Sequence, residues 1–206
     1  MTGLLRLSAI IDAFNTLVGR LVSWLILIAV VVSSGNAVIR KVFDTSSNAY
    51  LEAQWYLFAW SFLVAAGYTL LHREHVRIDV VNSHLPKTVR VWIDIVGYTL
   101  FLTPMCVMAL YLSVPQVIEK FVSGEMSGNP GGLIRWPVWL ALPLGFTLLL
   151  LQGWSELIKC IAFLRGLGPD PTEKRPEKTD EEQLVEALRQ RNADSGSGAG
   201  APAQAH

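Results

Sequence analysis

The sequence predicts an all-α integral membrane protein: four transmembrane helices, a short N-terminal interfacial helix and a disordered C-terminal tail. Three observations predict it. Of 206 residues, 51% are hydrophobic and 17% charged, at a mean hydropathy of +0.38, whereas a soluble domain carries charge on roughly a quarter of its residues. The apolar residues gather into four runs, each near the length of about 20 residues that crosses a hydrocarbon core as a helix. Composition then shifts abruptly at Gly168 to proline, alternating charge and finally a Gly/Ala/Ser stretch, which cannot bury enough apolar surface to offset ordering.

Residues 1–20 form the N-terminal segment. Leu7, Ile10, Ile11, Phe14, Leu17 and Val18 share one helical stripe, with Arg6, Asp12, Asn15 and Arg20 opposite, the pattern of a helix lying along a membrane surface. The transmembrane domain, 21–165, holds spans at about 21–39, 51–71, 91–112 and 136–158. The first span is retained rather than cleaved, because its apolar run outlasts a signal-peptide core and no small-residue cleavage site follows. Pro104 and Pro143 fall inside spans and read as kinks rather than ends. In the tail, 166–206, Thr179 and Glu182 make a capping-box pattern for one short helix near Asp180–Arg191.

Eleven Lys and Arg flank the spans on the side of both termini and four on the other, so the positive-inside rule places both termini in the cytoplasm. Trp55, Trp136 and Trp139 then mark the outer interface and Trp24, Trp92 and Trp154 the inner one, with Trp60 alone deep. Partners follow from charge. With 17 basic and 17 acidic residues and no basic tract, nucleic acid is excluded and the lipid bilayer is the expected environment. Cys106 and Cys160 lie in apolar runs without ligand spacing and read as buried free thiols.

Chemistry is sought in the polar residues beside the spans. Asn36 and Arg40 close span one, one turn apart, while Glu52 and Gln54 open span two on the same side of the membrane. Arg40 and Glu52 either pair there or reach water separately. The loop after span two, His72 to Asp79, is the densest polar cluster, but its histidines sit beyond a span end, where haem ligation inside a bundle is not expected. Catalytic triads, phosphate-binding loops and paired catalytic carboxylates are missing, so no enzyme is expected and no cofactor or metal is assigned to this chain. No span carries a central charge, against a self-sufficient ion carrier. A small multidrug-type exporter needs an acidic residue in span one, which has none, and a membrane redox protein needs core His pairs or reactive Cys pairs; a generic four-helix assembly factor is the remaining alternative.

Asn36-x3-Arg40-x2-Phe43, the run Asn48 to Phe58 with its Leu51-Glu52-Ala53-Gln54-Trp55 core, and Glu74-His75-Val76-Arg77-Ile78-Asp79 stand in this order, with Pro143-Leu144-Gly145 in span four. Over residues of about 5 to 165 the chain resembles the small membrane subunit of tripartite ATP-independent periplasmic (TRAP) transporters, the DctQ-like family. The resemblance implies a helper in the bacterial inner membrane. In that family a large membrane subunit moves the substrate by an elevator-type motion driven by a sodium gradient, and a periplasmic binding protein delivers an organic anion, usually a carboxylate. Arg40, Glu52, Trp55, His75 and Asp79 match the family pattern. With Asn36, Gln54 and Arg77 they are the candidates for subunit-interface or structural roles. The Gly-rich loop Ser123–Arg135, with its Asn129-Pro130-Gly131 turn, is a candidate contact for the binding protein.

Overall fold

The structure, a computed structural model, describes residues 2–43, 48–72, 86–167, 185 and 188. His75, Arg77 and Asp79, the polar loop around them and nearly all of the tail lie outside the described residues. The chain divides into two units, Met1–Glu173 and Lys174–His206. Of the second, Val185 and Leu188 are described as helical and exposed.

The first unit is built from helices: α1 (Thr2–Phe43), α2 (Asn48–Val64), α3 (Ala66–His72), α4 (Lys87–Val96), a π-helical turn (Gly97–Leu102), α5 (Thr103–Ser123) and α6 (Trp136–Leu164). Helix α6 is the hub and packs against all the others. Leu70, Val91, Tyr98 and Cys160 form a buried cluster on its flank, joined by Leu102, Leu149 and Leu157. Elsewhere large apolar side chains face outward, among them Trp55, Phe58, Phe62, Phe101 and Val122. A chain so constructed needs an apolar solvent, because soluble proteins seldom expose contiguous patches of this kind. Cys106 and Cys160 are buried free thiols.

Two expectations are corrected. The segment 1–20 and the first span are one unbroken helix of 42 residues, about 63 Å long. Nothing between them breaks it: the boundary reads Gly19-Arg20-Leu21-Val22, and one glycine costs a helix only about 1 kcal/mol. The second span is divided at Ala65 into helices of 17 and 7 residues. The hydroxyls of Ser61 and Thr69 bond back to the Leu57 and Ala65 carbonyls at 2.8 and 3.0 Å, a pattern that loosens and bends helices. Backbone bonds nevertheless run across the break, from Ala65 N–H to the Ser61 carbonyl and from Thr69 N–H to the Ala65 carbonyl. Among the described residues, therefore, three helices are long and apolar enough to cross a membrane: Gly3–Phe43, Lys87–Ser123 and Trp136–Leu164.

The prolines behave as interior residues. Pro104 has no N–H, and its ring would strike the Leu100 carbonyl in a regular α-turn. The π-helical turn ahead of it widens the backbone, and the Tyr98 carbonyl accepts both the N–H and, at 2.8 Å, the hydroxyl of Thr103. Pro143 lies inside α6 two residues before Gly145. An added Cβ at Gly145 would stand 2.6 Å from the Leu63 carbonyl oxygen, so only glycine lets α2 and α6 approach this closely.

Candidate functional site

Two polar constructions stand out, one at each end of α6. The first is a hairpin. Helices α5 and α6 are joined by residues 124–135, where Met126 and Ile134 pair in an antiparallel bridge. Ser127 N–H bonds the Leu133 carbonyl at 2.9 Å and Arg135 N–H the Glu125 carbonyl at 3.0 Å. The tip is a type II turn: Asn129 and Gly132 close it at 2.9 Å, with Pro130 at its second position and Gly131 at φ 71° in its third. Phe121 and Trp136 meet edge to face at the base, 5.4 Å between ring centres.

Helix α2 holds this hairpin through residues four apart, which fall on one helical face. The Asn48 amide donates to the Pro130 carbonyl at 3.2 Å, the Tyr56 hydroxyl to the Ile134 carbonyl at 3.2 Å and the Trp60 indole to the Pro137 carbonyl at 3.0 Å. Between them sits Glu52. Its carboxylate accepts from the Ser127 hydroxyl, from the Asn129 amide at 2.8 Å and from the Leu133 N–H at 2.7 Å. Each of these is charge-assisted, the stronger class of hydrogen bond. Glu125 ties the two stems of the hairpin, taking Lys120 on one oxygen and Arg135 at 2.7 Å on the other. Those two cations hold its carboxyl below the usual glutamate value of 4.5, the Lys120 hydrogen bond contributing most.

Residues expected to matter are thereby separated. Glu52 serves the hairpin, while Arg40 is exposed at the end of α1 and is not among its partners. Asn36 is buried with its side-chain oxygen unpaired. Gln54 and Trp55 line an apolar groove of about 1430 Å³ between α1, α2, α3 and α6. Trp60, expected deep, reaches the first turn of α6.

The second construction is hidden in the sequence. Ser8, Asp12 and Asn15 of α1 face Gln152, Ser155, Glu156 and Lys159 of α6, all but Lys159 buried. Lys159 bridges both acids, 2.7 Å from Asp12 and 2.6 Å from Glu156. The Gln152 amide donates to Asp12 at 3.0 Å and to Glu156 at 3.2 Å, and accepts from the Asn15 amide at 2.8 Å. The Ser155 hydroxyl donates to Asp12 at 2.7 Å and lies 2.8 Å from that of Ser8. Across the pair, an added Cβ on Gly67 would meet the Asn15 side-chain oxygen at 2.6 Å. Asp12 and Asn15, expected on a watery face, thus meet Lys159 and Gln152 inside the protein. Their spacings carry the signal: 8, 12, 15 and 152, 155, 156, 159 are matching stripes three and four apart.

Both constructions join helices, and their donors are spent on neighbouring chain. Among the described residues no group of three or more His, Cys, Asp and Glu is placed to hold a metal ion. The family model for tripartite ATP-independent periplasmic transporters, DctQ component, matches residues 29–163. The chain belongs to that family. The match covers the groove except for Ile26, the Glu52-held hairpin and α6 down to the lysine of the buried network. No curated protein and no solved structure matches the chain. As a DctQ component it is a membrane protein and a part of a transporter assembly.

Proposed function

We propose that this DctQ-family chain is the fixed small subunit of a TRAP transporter in the bacterial inner membrane. It crosses four times, α2 and α3 together making one crossing, with both termini in the cytoplasm and the hairpin in the periplasm. It scaffolds the large membrane subunit for sodium-coupled uptake of an organic anion, a carboxylate, which a periplasmic binding protein delivers. The chain itself binds neither substrate nor cofactor, and the sodium gradient acts on the assembled transporter. One observation carries this reading: most of the buried polar atoms at both ends of α6, the carboxylates of Glu52 and Asp12 among them, are occupied in joining helices, which suits a rigid wall better than a moving carrier. The excess of Lys and Arg beside both termini supports the orientation.

Affinity purification of the tagged chain, expressed with its neighbouring genes, tests the assembly. A large polytopic partner recovered near one-to-one is the expected outcome. Glu52→Ala, at equal membrane abundance, is expected to lower both that recovery and uptake of the binding protein's ligand. Unchanged uptake removes Glu52 from the scaffold role, and recovery of the chain alone removes the subunit reading.

A further inference from the structure

The groove between α1, α2, α3 and α6 changes character along its length. Its inner part is apolar: Ile26, Phe62, Phe146 and Leu149 line it, and the hydroxyls of Ser61 and Thr69 are spent on the Leu57 and Ala65 carbonyls of their own helices. Its outer part is polar: Ser33, Ser34 and Gln54 line it without side-chain partners among the described residues. Gly145 is buried in its lining, while Trp55, Phe58 and Phe62 stand 68–72% exposed along its side. From Gln54 to Thr69 the lining follows α2 and α3 for about 22 Å. That is enough to reach from one interface past the middle of a hydrocarbon core about 30 Å thick.

The stripe of α1 that lines the groove continues beyond it. Arg40 and Lys41 follow Ser33 and Ser34 by almost two full turns, so they return to the same face about 10 Å farther out. Arg40 also lies about 15 Å beyond Val30 of the groove, half the thickness of the core. Both cations are exposed, and among the described residues neither enters an ion pair. Glu52, the acid at the start of α2, is committed to the hairpin. From inside to outside the face therefore offers apolar walls, then hydroxyls and an amide, then two cations. Acyl chain, ester and phosphate follow one another in the same order in a glycerophospholipid. A partner helix would suit the apolar walls, but the walls do not account for two cations in register with them, whereas a phosphate does.

We propose that this groove binds one anionic glycerophospholipid from the leaflet on the hairpin side. An acyl chain lies between α1 and α2, the ester groups beside Ser33, Ser34 and Gln54, and the phosphate at Arg40 and Lys41. The proposal rests on the spanning reading above, and the test keeps the two apart. The tagged full chain, co-expressed with its neighbouring genes, carries photoreactive benzoylphenylalanine in place of Phe58, which lines the groove, or of Val31, which is exposed outside it. After irradiation of membranes, intact-mass spectra are expected to show one phosphatidylglycerol adduct at 58, while adducts at 31 follow the bulk lipid composition. A cross-link from 58 to another protein chain assigns the groove to a partner helix and overturns the proposal. Bulk-like lipid adducts at 58 also overturn it and leave the spanning reading. No adduct at 31, with lipid or protein, overturns both. Native mass spectrometry of the purified full chain, titrated with phosphatidylglycerol in detergent, then tests the headgroup contact. Arg40→Gln with Lys41→Gln is expected to weaken the tightest site about thirtyfold, and Ala66→Trp, which fills the groove, to abolish it. Unchanged binding in either variant overturns the proposal.

Discussion

Glu52 shows how one side chain can decide a loop. Its two oxygens take the Ser127 hydroxyl, the Asn129 amide and the Leu133 N–H, donors that the Met126–Ile134 bridge leaves without backbone partners. In Glu52→Gln the new amide turns a donor toward donors. We expect exchange at the Leu133 amide to quicken about tenfold, read by hydrogen–deuterium exchange, with α6 amides unchanged. Glu125 answers to pH. Its folded pKa is lowered, so its contribution is complete above 4.5 and is lost as pH falls through the folded value beneath that. Protection of the Ser127 and Arg135 amides should therefore decline in acid below pH 4.5, and Glu125→Gln should flatten that decline. The sequence shows Glu52 as a charge at a span entrance and the Asn129-Pro130-Gly131 turn as a turn. It does not show that the first holds the second, because their contact closes a loop of some 80 residues and depends on α2 and α6 lying side by side.

At the scale of elements, hydropathy locates the helices while polar and small residues set how they meet. The run near 91–112 is the middle of Lys87–Ser123, while that near 136–158 begins with Trp136–Leu164 and stops short of its end. The longer helix outruns its apolar stretch because interfacial charges such as Lys87 and Lys120 continue a helix as readily as they end it. The amphipathic pattern of residues 7–18 is visible, but its direction is not. A polar stripe faces water or a matching stripe with equal ease, and Gln152 to Lys159 supply the match. Two measurements test these seams. Gly145→Ala sets a Cβ against the Leu63 carbonyl, and a loss of about 1–3 kcal/mol is expected in thermal unfolding in detergent. Lys159→Met strips the shared cation from Asp12 and Glu156, at an expected cost of about 3–5 kcal/mol. Adding Asp12→Asn and Glu156→Gln should restore most of it, since the neutral trio keeps the shape without the stranded charge.

At the scale of the whole molecule, the number of crossings decides which ends share a compartment. Among the described residues three helices qualify by length and apolarity, and a three-crossing chain would put its termini on opposite sides. The bonds across Ala65 and the packing of α3 on α6 favour a fourth crossing through α2 and α3, since 25 residues at about 1.5 Å each reach some 37 Å, enough for a core of about 30 Å. The decisive positions are Asn129 at the hairpin tip and Arg165 beyond α6, with Gly3 reporting on the start of α1. The native thiols at Cys106 and Cys160 are fully buried and should give little background. An impermeant maleimide added to intact spheroplasts is expected to label Asn129→Cys and to spare Gly3→Cys and Arg165→Cys, which should react only after lysis. Labelling of Gly3→Cys together with Asn129→Cys would mean that α2 and α3 re-enter without crossing. The buried stripe of α1 would then have to meet α6 from the other side of the membrane, and the Ser8–Ser155 and Asn15–Gln152 bonds forbid that arrangement.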